Sequence, residues 1–490
     1  MSGPSAGAVG TAGLYRELRD FEVRHALFER TLGGLHFWEL TRYPVFCDLA
    51  IERGLWGRGD GEPADARVTP ARAGLGSRFG FALEQLRRLP RGRLPQAGAS
   101  LLMVGHPRRK RLGDGRWWDL YLDPVADHCR SLGLASVFVE PPHRGRFHYA
   151  PAHTPDLVYL DPHIAWARAR PGRRLALTRG EVAELAALDA ALRAELGGGA
   201  SITETARRVL QRFRDDRWMW SRILERVGPR AVFFTAGAGQ EGLVSAARER
   251  GVRSIELQHG TPVTGKLNYD YDTRGKPRRF FADHFAVFGE YWKQRNEWPV
   301  APERVFELGC PFFQQASRAL AGTPKQREIV FLSQATVGRG LARFAAELAA
   351  LLDERWRLVF KLHPEEIGEW RSRYPQLAGA RIEVVDDREA ELYPLLARAE
   401  FQVGVYSTAL YEGIGMGCKT ALVALPGVEY MRDLVDQGMA AVLSEASDFV
   451  ALCDELKGDD GWAPALFGRD WESKLESFLF DELGFASNRA

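Results

Sequence analysis

The sequence predicts an α/β protein with two parallel-sheet domains in tandem behind a helical N-terminal extension. Three observations carry this. Short apolar runs alternate with helical stretches from Ser100 onward. The alternation restarts after a break at residues 321–328, AGTPKQRE. Residues before about 95 have helical period and no strand pattern. At 490 residues, 45% hydrophobic and 27% charged, the chain is long enough for two or three domains and excludes a disordered or fibrous protein.

Taken in order, LYRELRDFEVRHALFERTLG and HFWELTRYPVFCDLAIERG read as helices, and a Gly/Arg/Pro-rich linker completes an extension over 1–95. The first α/β domain is expected over 96–320. Its strands are read at 101–105, 135–140, 157–161, 231–237, 254–260, 284–289 and 304–309, with long amphipathic helices over 180–196 and 202–227. The second is expected over 325–465, with strands at 329–333, 357–364, 381–385, 401–407 and 420–425 and helices over 340–353, 389–398 and 408–417. The amphipathic stretch 471–483 makes the segment 466–490 a helix that packs back on one of the two domains.

Lys plus Arg number 66 against 64 Asp plus Glu, so the formal charge of +2 gives no field of the kind that steers nucleic-acid binders. Charge is concentrated locally. Residues 67–111 hold eleven Lys/Arg and one acid, Glu84, which suits either a solvated linker or contact with anionic lipid headgroups or a phosphorylated acceptor. Five cysteines without CxxC spacing argue against a disulfide frame and a structural zinc site. With no basic n-region before an apolar run, and no apolar run near the ~20 residues that span a bilayer, the expected location is cytoplasmic, peripheral at the inner face of the membrane if the basic segment binds lipid.

In doubly wound domains ligands sit beyond the carboxyl ends of strands, so those ends are read for chemistry. At 405–417, VYSTALYEGIGMG, a strand hands to Ser407 and Thr408, which can cap a helix whose free N–H groups attract phosphate. Glu412, one turn on, is a candidate acceptor for ribose hydroxyls, and the Gly413, Gly415 and Gly417 series suggests a ligand or another backbone coming close. His363 ends the strand RLVFK, Pro364 stops pairing there, and Lys361 lies two residues earlier; these would neutralise a departing phosphate unless Lys361 is paired with Glu365 or Glu366.

In the first domain His259 follows SIEL in a tight turn, QHGTP, and is the candidate general base, with an unperturbed pKa of about 6.5. Asp270 and Asp272 in NYDYD are rival bases; they also spell a short acidic pattern associated with metal-nucleotide sites, and no metal is assigned to it. His106, Arg108 and Arg109 in GHPRRK are weaker candidates for acceptor phosphate. GAGQEG at 237–242 lacks dinucleotide-fingerprint spacing, and no Walker A, HExxH or GxSxG motif is present, so no cofactor is expected.

At LQHGTP, ADHFAVFGEYWKQ, PERVFELGCPFF, KLHP and the strand-Ser-Thr-helix ending GMGCKTALVALPG, the sequence resembles the GT-B glycosyltransferases of bacterial surface and capsule polysaccharide synthesis, over roughly residues 230–430. It is most similar to the capsule-type enzymes with a His-Pro motif and CMP-linked donors, Kdo or sialic-acid-like, and to the CDP-glycerol glycerophosphotransferases. The resemblance implies two Rossmann-like domains facing a cleft, the second holding a nucleotide-sugar donor, CMP-linked by preference, and the first a polysaccharide or glycolipid acceptor. It implies that His363 and Pro364 contact the donor phosphate, that Ser407 and Thr408 do so through their hydroxyls, that His259 lies on the cleft wall, and that transfer proceeds without a metal. The fully acidic base motif of many capsule enzymes is not located, which leaves the base open between His259 and the two aspartates. Rival readings are glycerophosphate transfer, a UDP-sugar 2-epimerase, and a non-catalytic nucleotide-sugar-binding partner in an assembly complex.

Overall fold

The computed structural model describes residues 11–55, 89–95, 98–143, 148–172, 174–260, 267, 269, 278–295, 298–363, 366–387, 391–453 and 461–486. The chain divides into two units: residues 1–286, 295–306 and 475–490 form the first, and residues 287–294 and 307–474 the second.

The first unit is built on a seven-stranded sheet. Its strands are β1 (Leu101–Val104), β4 (Ser136–Glu140), β5 (Val158–Tyr159), β6 (Ala231–Thr235), β7 (Arg253–Leu257), β8 (His284–Val287) and β9 (Val305–Glu307), in the spatial order β5-β4-β1-β6-β7-β8-β9. The registered pairs β4–β5, β1–β4, β1–β6, β6–β7 and β7–β8 are all parallel. LLMV of β1 and AVFFT of β6 are buried throughout, as expected of strands covered on both faces. An antiparallel hairpin of β2 (Arg109–Arg111) and β3 (Trp117–Asp119) is inserted after β1. It was not expected, because RKR and WWD carry no period-two apolar pattern; the one cue is the Asp114-Gly115 pair, with Gly115 at φ +82°.

The helical N-terminal part is present. Helices Thr11–Arg24 and Phe37–Glu52 share one apolar core with the long helices Arg179–Leu196 and Ile202–Val227, through Leu14, Phe21, Trp38, Phe46, Leu188, Leu192 and Phe213 among others. Both long helices begin on side-chain caps. Thr178 forms a reciprocal box with Glu181, Ser201 accepts from the Glu204 N–H, and Gly228 at φ 65° ends the second helix. Inside the bundle Glu22 takes hydrogen bonds from Arg42 at 2.7 Å and Trp38 at 2.9 Å, which satisfies two otherwise costly buried charges. The last segment of the chain belongs to this unit too: Phe478 stacks on Phe306 at 4.1 Å, and Arg230 lies over Phe485 at 4.3 Å.

The second unit has six strands, β10 (Gln326–Leu332), β11 (Arg357–Lys361), β12 (Glu383–Val385), β13 (Ala399–Gly404), β14 (Lys419–Val423) and β15 (Ala440–Leu443), in the order β12-β11-β10-β13-β14-β15 and parallel throughout. β15 was missed, its four residues AAVL being short and only partly buried. Both sheets therefore run outward in two directions from their first strand. The reversal falls between β1 and β6 in one and between β10 and β13 in the other, which is where doubly wound sheets open a crevice for ligands. Among the described residues no helix is long and apolar enough to cross a membrane, and all five cysteines are free.

Candidate functional site

In the second unit the loops beyond β10, β11 and β13 are tied together by two side chains. Gln334, after β10, donates from Nε2 to the Tyr406 carbonyl at 3.3 Å and accepts the Tyr406 N–H at 3.2 Å, a pair that straddles the reversal point. Glu366, fully buried, accepts the His363 N–H at 2.6 Å on one oxygen and the Ser333 hydroxyl at 2.9 Å on the other, where Tyr374 also donates. Thr336 and Tyr406 add a hydroxyl–hydroxyl bond. Ser407, Thr408 and His363 thus stand on loops that share one hydrogen-bonded frame, built by links such as Ser333 to Glu366 and Gln334 to Tyr406 that span 33 and 72 positions of sequence.

The cap itself differs from expectation in detail. Ser407 Oγ accepts the Ala409 N–H at 3.2 Å, whereas Thr408 occupies the N-cap position of helix Ala409–Gly415 without using its side chain there. Glu412, in that helix, is 6% exposed. The glycines answer to protein neighbours. A Cβ on Gly413 would lie 1.9 Å from Gln402 Oε1, and Gln402 holds its place by donating to the Leu410 carbonyl at 2.6 Å and the Thr420 hydroxyl at 2.8 Å. Lys361 is not brought to the reversal point: it donates to the Asp387 carbonyl at 3.1 Å, on the β12 side, and not to Glu366. Half-buried, its ammonium is held below the ordinary lysine value by desolvation. Pro364 and Glu365 lie outside the described residues.

The first unit presents a different set of groups at its reversal point. His106, just past β1, has its ring 5.8 Å from that of His259, just past β7. Tyr121 joins them, donating to the His259 carbonyl at 2.7 Å and receiving Arg108 at 2.9 Å. His106 Nδ1 accepts the Arg108 N–H at 3.1 Å, which puts the ring proton of the neutral form on Nε2. Burial, and then the neighbouring His259 and Arg108, drive the His106 pKa well below 6.5, so this imidazole is neutral at pH 7.

Arg109 is buried and committed. It binds Glu140 at 2.8 Å, lies 3.5 Å from Asp119, and donates to the His106 carbonyl at 2.9 Å. Its place is beneath the His106 loop. Glu140, at the end of β4, also takes His143 at 3.0 Å and His148 at 2.7 Å, and His148 reaches Asp161 at 2.6 Å while stacking on Tyr159 at 3.6 Å. Burial pushes the Glu140 carboxyl up, yet the two histidine hydrogen bonds and Arg109 outweigh it and hold it at about 2. Asp119 fixes the loop by accepting the His106 N–H at 2.7 Å, and Asp123 behind it is raised to about 6 by burial, with Asp119 adding to the rise.

Glu140, His143, His148, Asp119 and Asp123 were not singled out from the sequence, although Glu140 ends a strand as His363 does and reading every strand end would have reached it. Asp270, Asp272, Thr261 and Pro262 lie outside the described residues. Among the described residues no three or more His, Cys, Asp and Glu side chains are grouped to hold a metal ion.

No family model and no curated protein matches the sequence. Among solved structures, the chain is similar to the UDP-GlcNAc 2-epimerase of Methanocaldococcus jannaschii, with 7% identity and a TM-score of 0.46 over 78% of this chain and 99% of that one. It is also similar to the UDP-GlcNAc 2-epimerase of Neisseria meningitidis bound to UDP-GlcNAc, with 11% identity and a TM-score of 0.44 over 77% and 99%. For Acinetobacter baumannii MurG the identity is 14% and the TM-score 0.39 over 72% and 87%. At TM-scores below 0.5 these likenesses assign neither a substrate nor a reaction.

Proposed function

We propose that this chain is a metal-independent glycosyltransferase that moves a sugar from a nucleotide donor, CMP-linked by preference, to a surface-polysaccharide or glycolipid acceptor. The observation that carries the reading is the frame at the strand-order reversal of the second sheet, where Gln334 and Glu366 tie together the loops bearing His363, Ser407 and Thr408. These are hydroxyl and imidazole groups, which suit an anionic leaving group, and the single carboxylate in the frame is spent on internal donors. In this role His363 donates a hydrogen bond to the departing phosphate, and Ser407 and Thr408 hold its oxygens. Glu412 is assigned to the ribose. The base belongs to the first unit: His259, with neutral His106 beside it, or one of Asp270 and Asp272 takes the proton of the acceptor hydroxyl. The preference for cytidine rests on the likeness of the KLHP and Ser-Thr segments to the capsule-type enzymes. The basic residues of 67–111 other than the buried Arg109 are assigned to the membrane face or to acceptor phosphate.

The test is a thermal-stability screen against CMP, CDP, UDP and GDP, because a ligand bound only by the native state stabilises it by mass action. Stabilisation led by CMP is the expected result. A response led by CDP points to glycerophosphate transfer, one led by UDP to the epimerase reading, and none at millimolar concentrations removes the nucleotide site.

A further inference from the structure

A cavity of about 100 Å³ lies within the first unit, and neither His106 nor His259 lines it. Its walls come from helices Phe37–Glu52 and Ile202–Val227, the loop Gly237–Gly239 after β6, the first turn of helix Glu241–Glu249, and β7. Four carboxyl groups line it. Two have cationic partners: Glu39 is bound by Arg279 at 2.5 Å and Asp216 by Arg212 at 3.3 Å.

The other two, Glu256 and Glu241, have only neutral hydrogen-bond donors among the described residues. Glu256 is 1% exposed, and its Oε1 accepts the Tyr269 hydroxyl at 2.7 Å and the Gly237 N–H at 2.8 Å, while its Oε2 receives no hydrogen bond from a described residue. Glu241 takes the Gly239 N–H at 3.0 Å. Gly237 is glycine for this reason, since a Cβ there would stand 2.3 Å from Glu256 Oε2. Two buried carboxyls that face one cavity with no ion-pair partner among the described residues, Glu241 feeling only the nearby Arg212 charge, are costly to keep ionised, and a ligand cation would offset the cost.

We infer that this cavity is a binding site for a protonated amine. A volume of this order admits an ammonium group and the carbon atoms next to it. Tyr43, Phe213, Phe280 and Phe281 supply aromatic wall, which favours a cation further. Burial, reinforced by the neighbouring Glu241 charge, lifts the Glu256 carboxyl to about 7 in the empty cavity, so an arriving ammonium displaces a proton from it near neutral pH. The groups facing Glu256 in that exchange are Tyr269 and Gly237, with Glu241, Arg212, Asp216 and Glu39 around the cavity.

The amine belongs either to a free small molecule or to an amino-substituted residue of a larger acceptor. Neither source depends on the nucleotide donor, so the inference stands or falls apart from the glycosyltransferase reading. Calorimetric titration of the full chain with ethanolamine, glucosamine, glucose and N-acetylglucosamine separates the cases. Binding of ethanolamine alone indicates a free small amine, and binding of glucosamine, with or without ethanolamine, indicates an amino-substituted acceptor. Either result must weaken at least tenfold in Glu256→Gln, whose amide oxygen can still accept from Tyr269 and Gly237, and in Glu241→Gln, while nucleotide binding is unchanged. Glucose binding as tightly as glucosamine, no binding by either amine, or full amine affinity in both variants would overturn the inference.

Discussion

The two sheets have the same strand order around their first strand and open at the same topological point, yet their crevices are furnished differently. Beyond β10, β11 and β13 stand hydroxyls, an amide and an imidazole, with one carboxylate satisfied from three donors. Beyond β1, β4 and β5 lies a buried lattice of ionisable groups: Arg109 against Glu140 and Asp119, His148 between Glu140 and Asp161, and a histidine kept neutral by burial. The same topology thus carries hydroxyl, amide and imidazole groups at one set of strand ends and buried groups at shifted protonation states at the other. Fold alone does not divide the labour; the side chains at the strand ends do.

Three substitutions test that division, in falling order of effect. His363→Ala should lower turnover on the true donor by on the order of a hundredfold or more, as loss of a donor to developing charge does, with the melting temperature nearly unchanged. Steady-state kinetics with a stability scan checks this, and near-normal turnover would remove His363 from the leaving-group role. Glu366→Ala unties the same crevice from beneath. It leaves Ser333, Tyr374 and the His363 N–H without their shared acceptor and should cost roughly 2 to 4 kcal/mol in urea unfolding, with weaker nucleotide binding. Loss of stability with unchanged binding would mean that the frame does not position the donor contacts.

The smallest effect belongs to the first sheet. The pKa of His106 in the folded chain lies below its ordinary value of 6.5, so as pH falls through 6.5 the unfolded chain takes up a proton before the folded chain does. Stability should decline on acidification in that window until the folded-state histidine also protonates, and His106→Gln should flatten the decline. Parallel unfolding curves for the two proteins between pH 7 and pH 5 would show that burial does not perturb His106 as described.

Much of the fold was legible because buried parallel strands are written as unbroken apolar runs. FQVGV, RLVF and AVFF are examples, and the long helices announce themselves through caps such as Thr178 with Glu181. The hairpin β2–β3 was not legible, since Arg109 pairs with Asp119 and Lys110 with Trp118, a charged ribbon with no apolar face to count. Reading strand ends located His363, Ser407, His259 and His106. It passed over Gln334, whose bonds to Tyr406 span 72 positions, and over Glu140, whose partners are gathered from separate segments. Lacing of this kind is made through space, and only the folded chain displays it. The glycines near Glu412 show the converse error: a small residue reads as room for a ligand, but at Gly413 the space is taken by Gln402.

The central claim is that the crevice of the second sheet holds a nucleotide phosphate without a metal. Titration of CMP and of cytidine into the wild-type chain and into His363→Ala, all in excess EDTA, tests it most directly. CMP should bind in EDTA, cytidine should bind far more weakly, and His363→Ala should narrow the difference by about tenfold or more. CMP binding that requires added Mg²⁺ or Mn²⁺, or that is the same in His363→Ala, would contradict the claim.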